Sequence, residues 1–491
     1  MSGIDRRSLL AAATWSACGA GGLLGTLSPA QAQAQTQAQP QAPSFAEADI
    51  QHAERLRDAA LTDGTAWQLL QALCNDVGAR PAGSAADAKA AAWAQAAMKS
   101  HGLANVRADT LPMRRWVRGP ASAKLLSPVT EELVMVALGN SVATPAAGIE
   151  AEVAWYADLA ALKADTSDRA RGRIVFIDQK TERWRDGRGY GAAVPARVNG
   201  ASEAAKRGAL AFGLRSIGTD RERIAHTGAM AYEIGVPRIP AFAVSVPDAD
   251  TVAALHAAGQ TLRLRVALQA QSDVDATTHN VIGEVAGTDL ADEIVLIGAH
   301  LDSWDLGVGA VDDGAGVAIV TAAAALLQRL DKRPRRTVRV VLFGNEENGF
   351  DGARHYGDRY GQVQHQWVGE SDFGAGRVWQ MRGRVNPAAV PLVQRMAQVL
   401  APLGVAWPAE GANPGMNLAT PGPDAAVLMR RFKWPAVQLS QDGTNYFDVH
   451  HTVHDTLARI DPATLPQNVA CWAVTAWLAA QAPLPFGPTV A

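Results

Sequence analysis

Five segments beyond residue 297 gather side chains that can hold metals or move protons. Gly-Ala-His-Leu-Asp-Ser (298–303) directly follows an apolar run. Gly-Ala-Val-Asp-Asp-Gly (309–314) opens a second apolar run with helical character. Phe-Gly-Asn-Glu-Glu-Asn-Gly (343–349) ends another strand-like run. Glu-Ser-Asp-Phe-Gly (370–374) and His-His-Thr-Val-His-Asp-Thr (450–456) complete the set. Each alone has a plain structural reading. A strand-terminal histidine can be a core residue, Asp312 an N-cap, Glu346 and Glu347 a solvated pair, and Thr452 with Asp455 a capping box. Five separate explanations are less economical than one site. Together these residue types form a ligand set for two divalent, zinc-like ions, with one carboxylate left over as a base. Hydrolysis of an amide needs that equipment. A bound ion makes water acidic near neutral pH, and two ions about 3.5–4 Å apart stabilise both attacking and carbonyl oxygens. A spare carboxylate can take the water's proton and pass it to the leaving amine.

Such residues must be positioned by regular elements, and the chain from Asn280 onward supplies them. Apolar strands are expected at 293–298 and 337–343, with a helix at 315–330 between them and a last helix near 465–480. This alternation predicts an α/β fold, a doubly wound mixed sheet with helices on both faces. Ligands bind at the carboxyl ends of strands in such sheets, where the motif residues fall. Upstream, residues 46–102 have helical spacing, and 106–111 reads as a strand. Residues 119–277 change character, with short β-like runs at 173–177 and 262–266 and punctuation by Pro195, Pro237, Pro240 and Pro247. They are expected to form an inserted β-rich domain. The expected organisation is an export signal and leader start (1–34), a linker (35–44), an N-terminal helical part of the catalytic domain (45–118), the insert (119–277) and the catalytic domain proper (278–485).

At the N-terminus, Arg6 and Arg7 precede an apolar, Gly-containing stretch that ends at Pro29 and Ala-Gln-Ala (30–32). That pattern predicts a cleaved secretory signal of the twin-arginine kind, a periplasmic or secreted protein, and no stable membrane span after cleavage. With 491 residues, 48% hydrophobic and 19% charged, the chain can bury a large core. A net charge of −3 gives no basis for binding nucleic acid through its phosphates. The three cysteines provide neither a disulfide framework nor a cysteine-based zinc site; the sequence leaves open whether Cys74 and Cys471 pair.

On these residues the chain resembles the co-catalytic zinc exopeptidases of metallopeptidase family twenty-eight, over roughly residues 45–485. Within them it is most similar to the carboxypeptidase Q branch. The resemblance rests on His-Leu-Asp-Ser-Trp-Asp (300–305), Glu-Ser-Asp-Phe-Gly (370–374), the paired His450 and His451, Gly-Ala-Arg-Pro-Ala-Gly-Ser (78–84) and the β-rich insert. It implies two Zn²⁺ per chain, with His300 and Asp372 on one, Glu347 and His451 on the other, and Asp312 bridging. It further implies Glu346 as general base and acid, and Asp302 as the carboxylate orienting the His300 ring. The insert would be a protease-associated-like domain, the substrate a short peptide and the assembly a homodimer. Tyr446 and His450 are candidates for polarising the substrate. Thr-Pro-Gly-Pro-Asp (420–424) departs from the family's glycine-rich loop, so side-chain preference is open. Two other readings use the same scaffold, a glutaminyl cyclase-like acyl transferase and a non-catalytic receptor module. The full ligand set argues against the first, and Glu346 against the second.

Overall fold

A computed structural model describes residues 43–329, 331–408 and 419–488. The expected signal falls within 1–42 and lies outside the described residues, as does most of the linker. The main sheet has seven strands in the order Ala104–Val117, Gln271–Val285, Arg336–Phe343, Leu290–His300, His365–Glu370, Ala436–Gln441 and Val378–Arg384. Four central strands, those at 290–300, 336–343, 365–370 and 436–441, run parallel. The flanking strands are antiparallel. Side chains alternate across this sheet with the period of two that a strand imposes. Val295, Ile297 and Ala299 face the larger core, while Ile294 and Leu296 face a smaller one on the opposite side. The larger core is closed by the helices Ala315–Gln328 and Leu465–Gln481, the smaller by Asp351–Tyr360 and Pro423–Phe432. The stretch Ala310–Gln328 is long and apolar enough to cross a membrane, yet it lies wholly inside the protein. Cys74 and Cys471 are both buried free thiols.

Residues 121–268 build a second, eight-stranded sheet. It is less purely β than the sequence suggests. The helix Arg188–Lys206 spans 19 residues, and Val246–Ala257 adds another. Pro195 and the glycines of the first helix hide its periodicity. Ala193, Ala196, Ala201 and Ala204 nevertheless form a close-packed face toward the strand carrying Phe212 and Leu214. The chain enters this region along Ala104–Val117 and leaves along Gln271–Val285, paired antiparallel from Ala104 to Val117. The expected break at 277–278 therefore lies inside one continuous strand.

Candidate metal centre

Strand register brings the motifs level. His300 ends its strand opposite Phe343, and Gly298 sits opposite Glu370 in the next strand. The chain segments leaving those ends carry Asp302, Glu346, Glu347 and Asp372 into one space. Asp312 arrives from the turn that starts the Ala315–Gln328 helix. The histidines come from the loop after the short turn Tyr446–Asp448.

Asp312 stands at the middle. Its Oδ1 lies 3.2 Å from His300 Nε2, and its Oδ2 lies 3.0 Å from His451 Nε2. On one side His300 Nε2 is 3.7 Å from Asp372 Oδ1. On the other, His451 Nε2 is 3.0 Å from Glu347 Oε2. The five residues are thus grouped two and two around a shared carboxylate. His300, Asp312, Glu347 and His451 are buried and Asp372 is partly so, and Glu347 Oε1 is buried with no hydrogen-bond partner. Oxygen left without a donor at such a place suits a cation, because burying it unpaired is otherwise costly. Backbone carbonyls orient both histidine rings. His300 Nδ1–H donates to the Asp302 carbonyl at 3.0 Å, and His451 Nδ1–H to the Thr227 carbonyl at 3.4 Å. Each bond turns Nε2 toward the carboxylates. His451 has φ of +59°, a backbone state costly for a non-glycine residue. The Thr227 amide, bonded to the His451 carbonyl at 3.0 Å, helps hold it there.

The electrostatics are those of an acidic cage suited to a cation. Burial opposes charge on His300, yet Asp372, Asp312 and Asp313 hold its pKa well above the usual value. His451 behaves likewise, burial being outweighed by Glu347 and Asp312, and is raised to about 9. Burial and then Asp312 push Glu347 up to about 7, against the pull of His451. Glu346 is raised well above the ordinary range by burial, with Asp372, Glu347 and Asp424 adding repulsion and His300 opposing.

Glu346, Tyr446 and His450 all line a cavity of about 800 Å³ that also opens onto Asp312, Glu347 and Asp372. Glu346 belongs to none of the grouped ligand clusters. Tyr446 keeps its proton, since burial and then Asp312 and Asp372 push its hydroxyl well above 10. His454 points elsewhere, pairing with Glu222 at 2.8 Å.

The part expected of Asp302 needs correction. Its carboxylate stays 3.9 Å from His300 Nδ1, which uses the Asp302 backbone carbonyl instead. The carboxylate accepts from the Glu346 amide at 3.1 Å and the Glu347 amide at 3.4 Å. It therefore fixes the turn that presents both glutamates. Asp455, read in sequence as one end of a capping box, accepts from the Val311 and Asp312 amides at 2.6 and 3.2 Å. Fully buried Arg80 donates to the carbonyls of Val308 and Gly309, each at 2.9 Å, tying down the approach to Asp312. Sequence reasoning also missed His226, whose Nε2 lies 3.1 Å from His450 Nδ1, and Tyr190, edge-on to His450 at 5.1 Å. Both come from the 121–268 region, and no motif spacing marks them.

The description "Peptidase family M28" matches residues 280–476. Carboxypeptidase Q from Bos taurus is 32% identical over 416 residues, covering 84% of this chain and 85% of that protein. The chain belongs to peptidase family M28. Carboxypeptidase Q from Homo sapiens is similar at 31% identity over 419 residues, 84% of this chain and 85% of its own. Among solved structures, a peptidase M28 precursor from Shewanella amazonensis SB2B is 43% identical, with a TM-score of 0.87 over 90% of this chain and 99% of that one. A zinc aminopeptidase from Bacillus subtilis shares the fold at 20% identity and a TM-score of 0.59, over 84% and 94% of the two chains. This M28 chain is accordingly a metallo-exopeptidase on a mixed α/β scaffold.

Proposed function

We propose that this M28 chain is an exported, dinuclear zinc exopeptidase that cleaves short peptides, dipeptides included, with free termini. The observation that carries the reading is the placement of Asp312 between two His–carboxylate pairs, with Glu346 beside them on the cavity wall. His300 with Asp372 would hold one zinc, Glu347 with His451 the other, and Asp312 both. Bound there, zinc would supply Lewis acidity toward the peptide carbonyl and acidify water. Glu346 would take a proton from the attacking water and pass it to the leaving nitrogen. Asp302 keeps Glu346 in place through the backbone amide. Tyr446, protonated, can donate to the oxygen on which charge develops. The names of the relatives support exopeptidase substrates, and the twin-arginine pattern at Arg6 and Arg7 supports export. Residues 119–277 serve, in this reading, as a protease-associated-like domain roofing the site. The test is a panel of dipeptides with blocked and unblocked termini, assayed with and without chelator. Metal-dependent cleavage of unblocked dipeptides is expected; cleavage insensitive to metal removal would overturn the reading.

A further inference from the structure

Five arginines line the cavity in front of Asp312 and Glu346: Arg114, Arg115, Arg197, Arg238 and Arg354. Arg114 pairs with Asp275, Arg238 with Asp273 at 3.0 Å and Arg354 with Asp351 at 3.5 Å, and all three are exposed. Arg197 is different. It is only 8% exposed, and among the described residues no carboxylate lies within ion-pair reach of it. Its Nε donates to the Ala229 carbonyl at 3.2 Å, and its Nη1 donates to the Tyr190 hydroxyl. A guanidinium carries five N–H groups. Both on Nη2, and the second on Nη1, have no acceptor among the described residues. Arg115 also lacks a carboxylate, but Arg197 is the one tied to the centre. Tyr190, which accepts from it, lies edge-on to His450, and His450 Nε2 is 3.2 Å from Asp312 Oδ2.

The position is built rather than incidental. Gly228, at φ +137°, lies flat against the guanidinium, and a Cβ there would come within 2.3 Å of Nη1 and 2.5 Å of Cζ. A buried cation held this firmly without a counter-ion is unfavourable unless an anion completes it. The three spare N–H groups include a fork suited to one carboxylate. A peptide's terminal carboxylate lies one residue beyond its last amide carbonyl, and consecutive Cα atoms are about 3.8 Å apart.

We propose that Arg197 binds the free C-terminal carboxylate of the substrate, so that cleavage is confined to the last peptide bond. The inference rests on the peptidase reading above and assigns a specificity-determining residue to it. The experiment compares one dipeptide with its C-terminal amide, using the full zinc-loaded chain and its Arg197→Met and Arg197→Lys variants. The wild type should prefer the free acid by about 10–100-fold in kcat/KM, mainly through KM, as expected for a charged hydrogen-bonded contact. Arg197→Met should erase that preference, with a much larger loss on the acid than on the amide and metal content retained. Arg197→Lys should keep part of it. Equal use of acid and amide by the wild type would overturn the assignment while leaving the peptidase reading intact, and needs no variant. Equal loss on both substrates in Arg197→Met would mean that the residue is structural. Turnover of neither by the wild type would overturn the peptidase reading and the assignment together.

Discussion

At the amino-terminal end of the parallel strands, Glu293, Arg336, His365 and Gln366 are matched. Arg336 donates to Glu293 at 2.6 Å and to the Ala482 carbonyl at 2.7 Å, and Gln366 donates to the same Glu293 at 2.7 Å. His365 donates from Nδ1 to the Val363 carbonyl at 2.7 Å, accepts at Nε2 from the Tyr356 hydroxyl at 2.9 Å, and stacks on Trp434. At the carboxyl end of the same strands, Glu347 Oε1, Glu370 Oε1, Ser371 Oγ and both Asp424 oxygens are buried with no partner. One sheet thus carries a finished end and an unfinished one. The strands are equally apolar between them, so core packing does not explain the contrast. The contrast is what the proposed function requires: in that reading the carboxylates of the carboxyl end serve binding and proton transfer rather than stability.

Substitutions at the two ends should therefore fail in different ways. The largest effect is expected at Glu346. Glu346→Gln keeps the shape but removes the proton acceptor, so kcat should fall by roughly 10²–10⁴-fold with KM and metal content nearly unchanged. Its neighbour gives the contrast: Glu347→Ala should lower the occupancy of one metal. If instead Glu346→Gln loses metal and Glu347→Ala keeps it, the two roles are exchanged. At the finished end, Glu293→Gln strands Arg336, which is almost fully buried, and should cost about 3 kcal/mol of stability in denaturant titrations. The residual folded enzyme should keep its kcat. Loss of kcat without loss of stability would erase the distinction between the ends.

Over the first pH unit below 6.5, a smaller effect should appear in acid. Burial holds the His365 pKa down at about 3, whereas an unfolded histidine titrates near 6.5. Below pH 6.5 the unfolded chain takes up a proton that the folded ring refuses, so stability falls as pH drops from 6.5 toward 3. The slope is at most about 1.4 kcal/mol per pH unit for this one group. His365→Gln should flatten the pH dependence of unfolding in that window, and an unchanged profile would show that His365 is not neutral in the fold.

The carboxyl end was the legible part in sequence, because its residues sit in short motifs at strand ends. The segments that hold His300, Asp312, Glu346, Glu347, Asp372 and His451 stand out without any tertiary information, while the choice of these residues over their neighbours came from the family resemblance. The supports were not. His226 meets His450 across 224 residues of sequence, and Thr227 clamps His451 over the same span. Those pairings exist only once the second sheet has folded over the site. Asp302 was found as a residue but given the wrong contact. Its backbone and its side chain compete for the same neighbours, and spacing cannot say which one bonds His300. The helix Arg188–Lys206, with Arg197 on it, was masked by Pro195 and by glycines that a helix tolerates when its alanine face is buried.

Metal stoichiometry measured alongside dipeptide hydrolysis tests the central claim most directly. Elemental analysis of the purified chain should approach two metal ions per molecule. Chelation should remove them together with activity, and zinc should restore both. A metal-free preparation with full activity would contradict the account.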